Sequence, residues 1–214
     1  MIEKRLHQIW VGTKPIPQRE AQWCHRMEIL NPKWTYRLHG NELLVRYKDD
    51  PFIKVMQERQ ISLAFITDRL RVLILRDEGG VYLDADCEPI RPLDSLSIWD
   101  EPKVDFVAGL RNPHRNNVAL HRAIPLVDNT FLGSAKGGKM INRLAALWSP
   151  AHIIIDGHTM GCAILEGATY PETAFLNHRY IYAMEKFPET LVLHDAANLG
   201  SWAAPKNFLQ NATV

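Results

Sequence analysis

The stretch from Leu63 to Asp86 constrains the fold most. Leu63, Ile66, Leu70, Leu73 and Ile74 recur at helical spacing, which predicts a helix with one buried face. Gly79-Gly80 ends it, because glycine enters the left-handed region without steric cost. Val81-Tyr82-Leu83 comes next, short, apolar and β-favouring. Side chains alternate along a strand. Val81, Leu83 and Ala85 are therefore expected to face a core, and Tyr82, Asp84 and Asp86 to face the other way together.

A ring and two carboxylates on one face at a strand's end suit a nucleotide site. The ring of Tyr82 is expected to meet a base or ribose, and carboxylate oxygens suit a hard divalent ion that also binds phosphate. The plainer reading is that Asp84 and Asp86 are turn-forming acids after an edge strand. Asp68 and Arg71 lie on one helix face; as an exposed pair they would contribute little. Their helix, however, is otherwise apolar and runs straight into the acid-bearing strand.

The rest of the chain alternates between strand and helix patterns. Leu6 to Val11 reads as a strand, Glu20 to Leu30 as a helix ended by Asn31-Pro32, and Trp34 to Leu38 as a strand. Asn41 is expected to cap a further helix, and Asp50-Pro51 to open an irregular helical segment through Gln60. This order predicts a nucleotide-binding α/β layer. Further on, Val104 to Leu110 and Pro125 to Leu132 read as strands, the latter carrying Asp128 and Asn129. Helices are expected at Lys139 to Trp148 and Cys162 to Leu165, and a last strand at Leu191 to Leu193. Arg111 to Asn117 reads as a polar loop on the rim of the cleft.

With 214 residues, 46% apolar and 23% charged, the chain fits one globular domain over 1–214. A formal net charge of +1 argues against a nucleic-acid partner. Cys24, Cys87 and Cys162 are odd in number and widely spaced, as in reduced thiols rather than disulfides or a zinc site. No apolar run is long enough to span a bilayer, and none comes after Met1 to Arg5 as a secretory signal would. A cytoplasmic monomer is the expectation, and the sequon Asn211-Ala212-Thr213 carries no weight without a secretory signal.

Thr67-Asp68-Arg69-Leu70-Arg71, followed by Leu75 to Asp86, resembles the "SDxxRxxxLxxxGGxYxDxD" block of DXD-containing glycosyltransferases of the sugar-binding-region type. Yeast initiating mannosyltransferases belong to that family, and clostridial glucosylating toxins are distant relatives. Leu6-His7-Gln8-Ile9-Trp10-Val11-Gly12 resembles the family's "IHQIWxG" start, and His194 with Ser201-Trp202 its closing "H…SW". The compact length is similar to that of a viral glycosyltransferase domain, for which the host cytoplasm is implied. The resemblance implies a GT-A fold: a Rossmann-like nucleotide-binding layer with a central mixed sheet flanked by helices. Residues 1–110 would then hold the nucleotide-sugar, and 111–214 the acceptor side and a C-terminal flap.

The resemblance also implies roles for individual residues. Asp86 would ligate Mn²⁺ or Mg²⁺ directly, and Asp84 would contact ribose and support the metal. Asp68 would bind donor-sugar hydroxyls, and Arg71 would pair with phosphate or hold Asp68. Gln8, Ile9 and Trp10 would hold uracil or guanine, Tyr82 and Ala85 would border the donor, and Ser201 and Trp202 would contact the diphosphate. His194 would complete the metal site and tilt it towards Mn²⁺. The spacing from His194 to Ser201-Trp202 is longer than the family's, so Asp195 or Asn198 stand as alternatives.

The activity implied is transfer of a sugar from a nucleotide-diphosphate donor, UDP-linked before GDP-linked, to a glycan, glycoprotein or other hydroxyl acceptor. Retention of anomeric configuration is expected, by front-side displacement or with Asp128 or Asp156 as nucleophile. Two alternatives compete. One is a haloacid-dehalogenase-like phosphohydrolase with Asp84 as nucleophile. The other is a module that binds nucleotide-sugar without turnover.

Overall fold

A computed structural model describes residues 1–110, 127–155, 157–166, 170–176 and 191–194. Among these residues the elements run β1 (Arg5–Ile9), α1 (Gln18–Leu30), β2 (Thr35–His39), α2 (Glu42–Arg46), α3 (Pro51–Glu58), α4 (Leu63–Glu78), β3 (Gly80–Leu83), β4 (Cys87–Pro89), β5 (Phe106–Leu110), β6 (Val127–Ser134), α5 (Lys139–Ala145), α6 (Gly157–Glu166), β7 (Thr173–Leu176) and β8 (Val192–His194). Six strands form one sheet in the order β2-β1-β3-β6-β5-β7, and β4 pairs with β8 in a second. β1 runs parallel to both β2 and β3, while β6 is antiparallel to β3 and β5. The sheet is therefore mixed, as expected of a GT-A fold.

Two apolar layers cover this sheet. Tyr82 of β3 joins the layer under α4, with Leu70, Leu73 and Ile74. Val81 and Leu83 join the opposite layer, with Leu6, Met27 of α1 and Trp34. Two-residue alternation along β3 puts its side chains into both layers. β2 lies on one side of β1 and β3 on the other. The strand order thus reverses at β1, and in open α/β sheets the crevice beyond the carboxyl ends at such a reversal is the usual ligand site.

Local sequence accounts for the element boundaries. The Asp50 carboxylate accepts from the amides of Phe52 and Ile53, and Pro51 occupies the first helical position of α3. Ser62 caps α4 at the Ala64 amide. Gly79 and Gly80 take φ of 70° and 99°, and a Cβ on Gly80 would stand 2.6 Å from the Arg5 carbonyl oxygen. That close approach lets β3 enter the sheet directly after α4.

Two expectations are corrected, and two strands were not expected. α4 is buried nearly all round, not along one face; Asp68 to Leu75 are all buried, because α5, β3 and β6 pack around it. Asn41 precedes α2 without a capping bond. Its amide instead accepts from the Gly12 N–H at 2.8 Å and donates to the Gly12 carbonyl at 3.1 Å. β4 and β7 carry no periodic signal; a three-residue strand ending in proline forms only because β8 supplies its partner. The expected rim loop at Arg111 to Asn117 lies outside the described residues.

Candidate active site

β1 and β3 end side by side, so the chain after Ile9 and the chain after Leu83 border the same crevice. β3 stops at Leu83. Asp84, Ala85 and Asp86 form a turn closed by the Cys87 amide donating to the Asp84 carbonyl at 3.3 Å. Strand alternation ends there. Asp84 keeps to the face of Tyr82, whereas Asp86 belongs to the turn, not to a shared strand face. The turn's first amide is tied down as well, donating from Asp84 to the Thr130 carbonyl at 3.1 Å.

Tyr82 is 1% exposed and belongs to the core beneath α4. The expected contact of its ring with a base or ribose is thus corrected, because helix α4 covers it. Its hydroxyl donates to Asp84 Oδ1 at 2.6 Å. Burial pushes the phenol well above its ordinary pKa, which keeps the proton available for that bond.

Arg71 organises the layer behind the turn. Its guanidinium lies 3.0 Å from Asp68 Oδ1 and 3.2 Å from Asp84 Oδ1. It donates to the Asn129 carbonyl at 2.7 Å and sits 4.5 Å over the Tyr82 ring. Asn129 in turn donates from Nδ2 to Asp68 Oδ1 at 2.6 Å. Asp68 and Arg71 are both buried, so the reading of an exposed helical pair is overturned. A buried charge needs a partner and hydrogen bonds. Arg71 meets that need for Asp68 and extends the same cation to the first acid of the turn.

On the other face of the sheet, the Gln8 side chain is fully buried. Its Nε2 donates to the Asp84 carbonyl at 3.0 Å, and its Oε1 accepts from the Tyr36 hydroxyl at 2.9 Å. Ile9 is buried, while Trp10 is partly exposed and donates from Nε1 to the Lys14 carbonyl at 3.0 Å. Ala85 is buried, and Asp86 partly exposed.

The β4–β8 pairing sets the His194 backbone opposite Cys87, one residue beyond Asp86. The His194 side chain lies outside the described residues, as do Asp195, Asn198, Ser201, Trp202, Asp156 and the side chain of Asp128. Among the described residues no three His, Cys, Asp or Glu side chains converge on a point. The donor set there is two carboxylates on one turn. Such a set fits Mg²⁺ or Mn²⁺, which commonly bind through one or two acids and complete their shell with substrate phosphates and water.

Sequence reasoning missed Asn129 and the partner of Gln8. A polar pair, Asp128-Asn129, inside an apolar strand was the signal that could have found the first. Nothing local marks Tyr36, whose link to Gln8 depends on β1 and β2 being neighbours.

The model of the family described as "Glycosyltransferase sugar-binding region containing DXD motif" matches residues 17–103, a span that includes α4, β3 and the acid-bearing turn. No curated protein sequence matches the chain. The PaToxG glycosyltransferase structure aligns with a TM-score of 0.54 at 17% identity, covering 78% of this chain and 70% of that one. Mouse xyloside xylosyltransferase 1, in its apo form, aligns with a TM-score of 0.55 at 11% identity, over 96% of this chain and 100% of that one. A glycosyltransferase involved in glycosylation of the major capsid of PBCV-1 gives 0.51 at 9% identity, over 88% and 92%. At these identities the structural likeness is one of fold.

The mixed sheet and these structural likenesses define a fold of the GT-A type, and residues 17–103 are similar to the sugar-binding region of DXD-containing glycosyltransferases. The family match covers 87 of the 214 residues, 17 to 103, and Asp84-Ala85-Asp86 falls inside it as an Asp-x-Asp sequence. No helix among the described residues is long and apolar enough to cross a membrane.

Proposed function

We propose that the chain transfers a sugar from a nucleotide-diphosphate donor, UDP-linked in preference to GDP-linked, to a hydroxyl acceptor in a metal-dependent reaction that retains anomeric configuration. One observation carries this reading. The Asp84-Ala85-Asp86 turn stands at the carboxyl end of β3, beside the end of β1, with its first acid braced by a buried arginine.

Bond cleavage at the anomeric carbon leaves negative charge on the departing diphosphate. Mn²⁺ or Mg²⁺ held by Asp86, with Asp84 in support, would supply the opposing charge. The protein's own contribution is to hold those acids where the charge develops, with little reorganisation at the moment of reaction. Arg71 and Tyr82 fix one oxygen of Asp84, so the carboxylate meets the donor in a set orientation. Asp68, fixed by Arg71 and Asn129, is the group we assign to the donor-sugar hydroxyls. Backbone groups of Gln8, Ile9 and Trp10 border the nucleobase. The acceptor hydroxyl passes its proton to the leaving phosphate, a route that needs no enzyme nucleophile. His194, Ser201 and Trp202 complete the donor site from the C-terminal side, with Asp195 or Asn198 as alternatives to His194.

Donor turnover is the test. UDP-sugars and GDP-sugars are incubated with the protein and Mn²⁺, and hydrolysis or transfer is monitored. Activity that stops with EDTA, returns with Mn²⁺ and is lost in Asp86→Asn supports the reading. An Asp86→Asn variant with wild-type turnover would sink it. Binding of a nucleotide-sugar without turnover by the wild type would favour a non-catalytic module.

A further inference from the structure

The geometry points to Gln8 and Tyr36 as positioning residues that hold the backbone of the Asp84-Ala85-Asp86 turn, and through it set the turn's affinity for a divalent cation. The inference rests on the proposed metal-dependent reading for its functional half only.

Both carbonyls that precede Asp86 are gripped from the α1 face of the sheet. The Asp84 carbonyl accepts from Gln8 Nε2 at 3.0 Å as well as from the Cys87 amide at 3.3 Å. The Ala85 carbonyl faces the Cys24 thiol at 3.9 Å, a weak S–H donor. The Tyr36 hydroxyl donates to Gln8 Oε1 at 2.9 Å and also lies against the Cys24 thiol. β1, β2 and α1 thus each send one side chain to a single cluster, and Gln8 and Cys24 of that cluster reach the turn at its backbone oxygens.

The chemistry of that arrangement is specific. Gln8 is fully buried, so its amide has no water to rotate towards, and the Asp84 carbonyl, which can only accept, leaves it one orientation: nitrogen to the turn, oxygen to the Tyr36 hydroxyl. Burial pushes the Cys24 thiol up to about 11, so it stays protonated and keeps its donor. On the α4 face, Arg71 and Tyr82 fix the Asp84 carboxylate. The turn is clamped from both faces, by its side chain on one and by its carbonyls on the other. Asp86 comes directly after the clamped carbonyls, so rotation of the 84–85 or 85–86 peptide would swing its carboxylate away from the crevice. Groups that orient a metal ligand without touching the metal typically cost about 10–100-fold in metal affinity when removed.

The test uses Gln8→Met, which keeps the shape but loses both bonds, Tyr36→Phe, which removes one hydroxyl, and the double variant. Amide hydrogen exchange of residues 84–87 is measured on the protein alone, without metal or donor. Faster exchange at Cys87, with the central strands unchanged, supports the clamp; unchanged exchange at 84–87 in a folded variant overturns it. The half-saturating Mn²⁺ concentration for UDP-sugar turnover, or for Mn²⁺ binding with UDP present, is then compared. The expected result is a rise of about 10-fold in each single variant, larger than any fall in the limiting rate. The double variant is expected to be no worse than Gln8→Met, since Tyr36 acts through Gln8. Lower stability with an unaltered Mn²⁺ dependence reduces the pair to core packing and overturns the functional half. A wild type with no metal dependence overturns the proposed function instead, while the exchange result still decides the clamp. Should Gln8→Met fail to fold, Tyr36→Phe, which alters a half-buried site by one atom, carries both measurements.

Discussion

Replacing Arg71 with methionine probes the buried network behind the turn. The guanidinium is shared by Asp68 at 3.0 Å, Asp84 at 3.2 Å and the Asn129 carbonyl at 2.7 Å, and it lies over the Tyr82 ring at 4.5 Å. Methionine fills much of the stem's volume but takes the guanidinium away from Asp68, which is 3% exposed. Breaking a buried ion pair by removing one partner costs about 3–5 kcal/mol. Loss of a desolvated cation–π contact adds up to about 2 kcal/mol. Two features moderate the sum: Asn129 Nδ2 still donates to Asp68, and Asp84 reaches solvent on one side. The expected loss is about 4 kcal/mol, a large share of the roughly 5–15 kcal/mol that holds a typical domain together. Equilibrium urea unfolding reads it as a lower midpoint at unchanged slope. Asp68→Leu combined with Arg71→Met removes both charges, so the double variant is expected to be more stable than Arg71→Met alone. A loss below about 1 kcal/mol, or a double variant weaker than the single, would refute the buried-pair argument.

The same geometry sets three further outcomes. Gly80→Ala forces a φ of 99° on an L-residue and sets its Cβ 2.6 Å from a backbone oxygen, so it is expected to cost about 3 kcal/mol. Gly137→Ala, with φ of 65° and no atom within 4 Å, is expected to cost only about 1 kcal/mol; equal shifts in thermal unfolding would contradict the close-approach reading. Tyr82→Phe removes the 2.6 Å bond to Asp84 Oδ1 and is expected to lower stability by about 1–2 kcal/mol while raising the half-saturating Mn²⁺ concentration; a change in neither would disconnect Tyr82 from the turn. Burial holds the His39 imidazole down to about 4, and the neighbouring His7 below its ordinary value. The unfolded chain, titrating near 6.5, therefore takes up protons first as pH falls. Stability from His39 is complete above about pH 6.5 and lost towards pH 4, about 2 kcal/mol of it by pH 5. Urea unfolding across that window is expected to slope in the wild type and to slope less in His39→Gln, where His7 remains; a flat wild-type profile would contradict it.

Much of the architecture is legible in the amino-acid order alone. The α4 periodicity, the Gly79-Gly80 stop, the apolar β3 triplet and the paired acids are short-range features, each governed by neighbours within a turn or two of chain. The motif block from Thr67 to Asp86 carried the resemblance on the same local terms, and it lies inside the region that the family model matches. Local rules also misled. Strand alternation extended past Leu83 put Asp86 on the face of Tyr82, although the strand had already ended. Amphipathicity assigned α4 one buried face, although packing on several sides buries it nearly all round.

What the sequence by itself determined is where most of the longer helices and strands fall, and which charged residues lie close together along the chain. Only the tertiary structure decided which of those residues meet. Asn129 reaches Asp68 across 61 positions, and Gln8 reaches the Asp84 carbonyl across 76. Those contacts depend on β1, β3 and β6 lying side by side in a particular order and register. Strand order is settled by burying apolar faces on both sides of the sheet at once, a condition imposed by the whole chain and invisible in any one window of it.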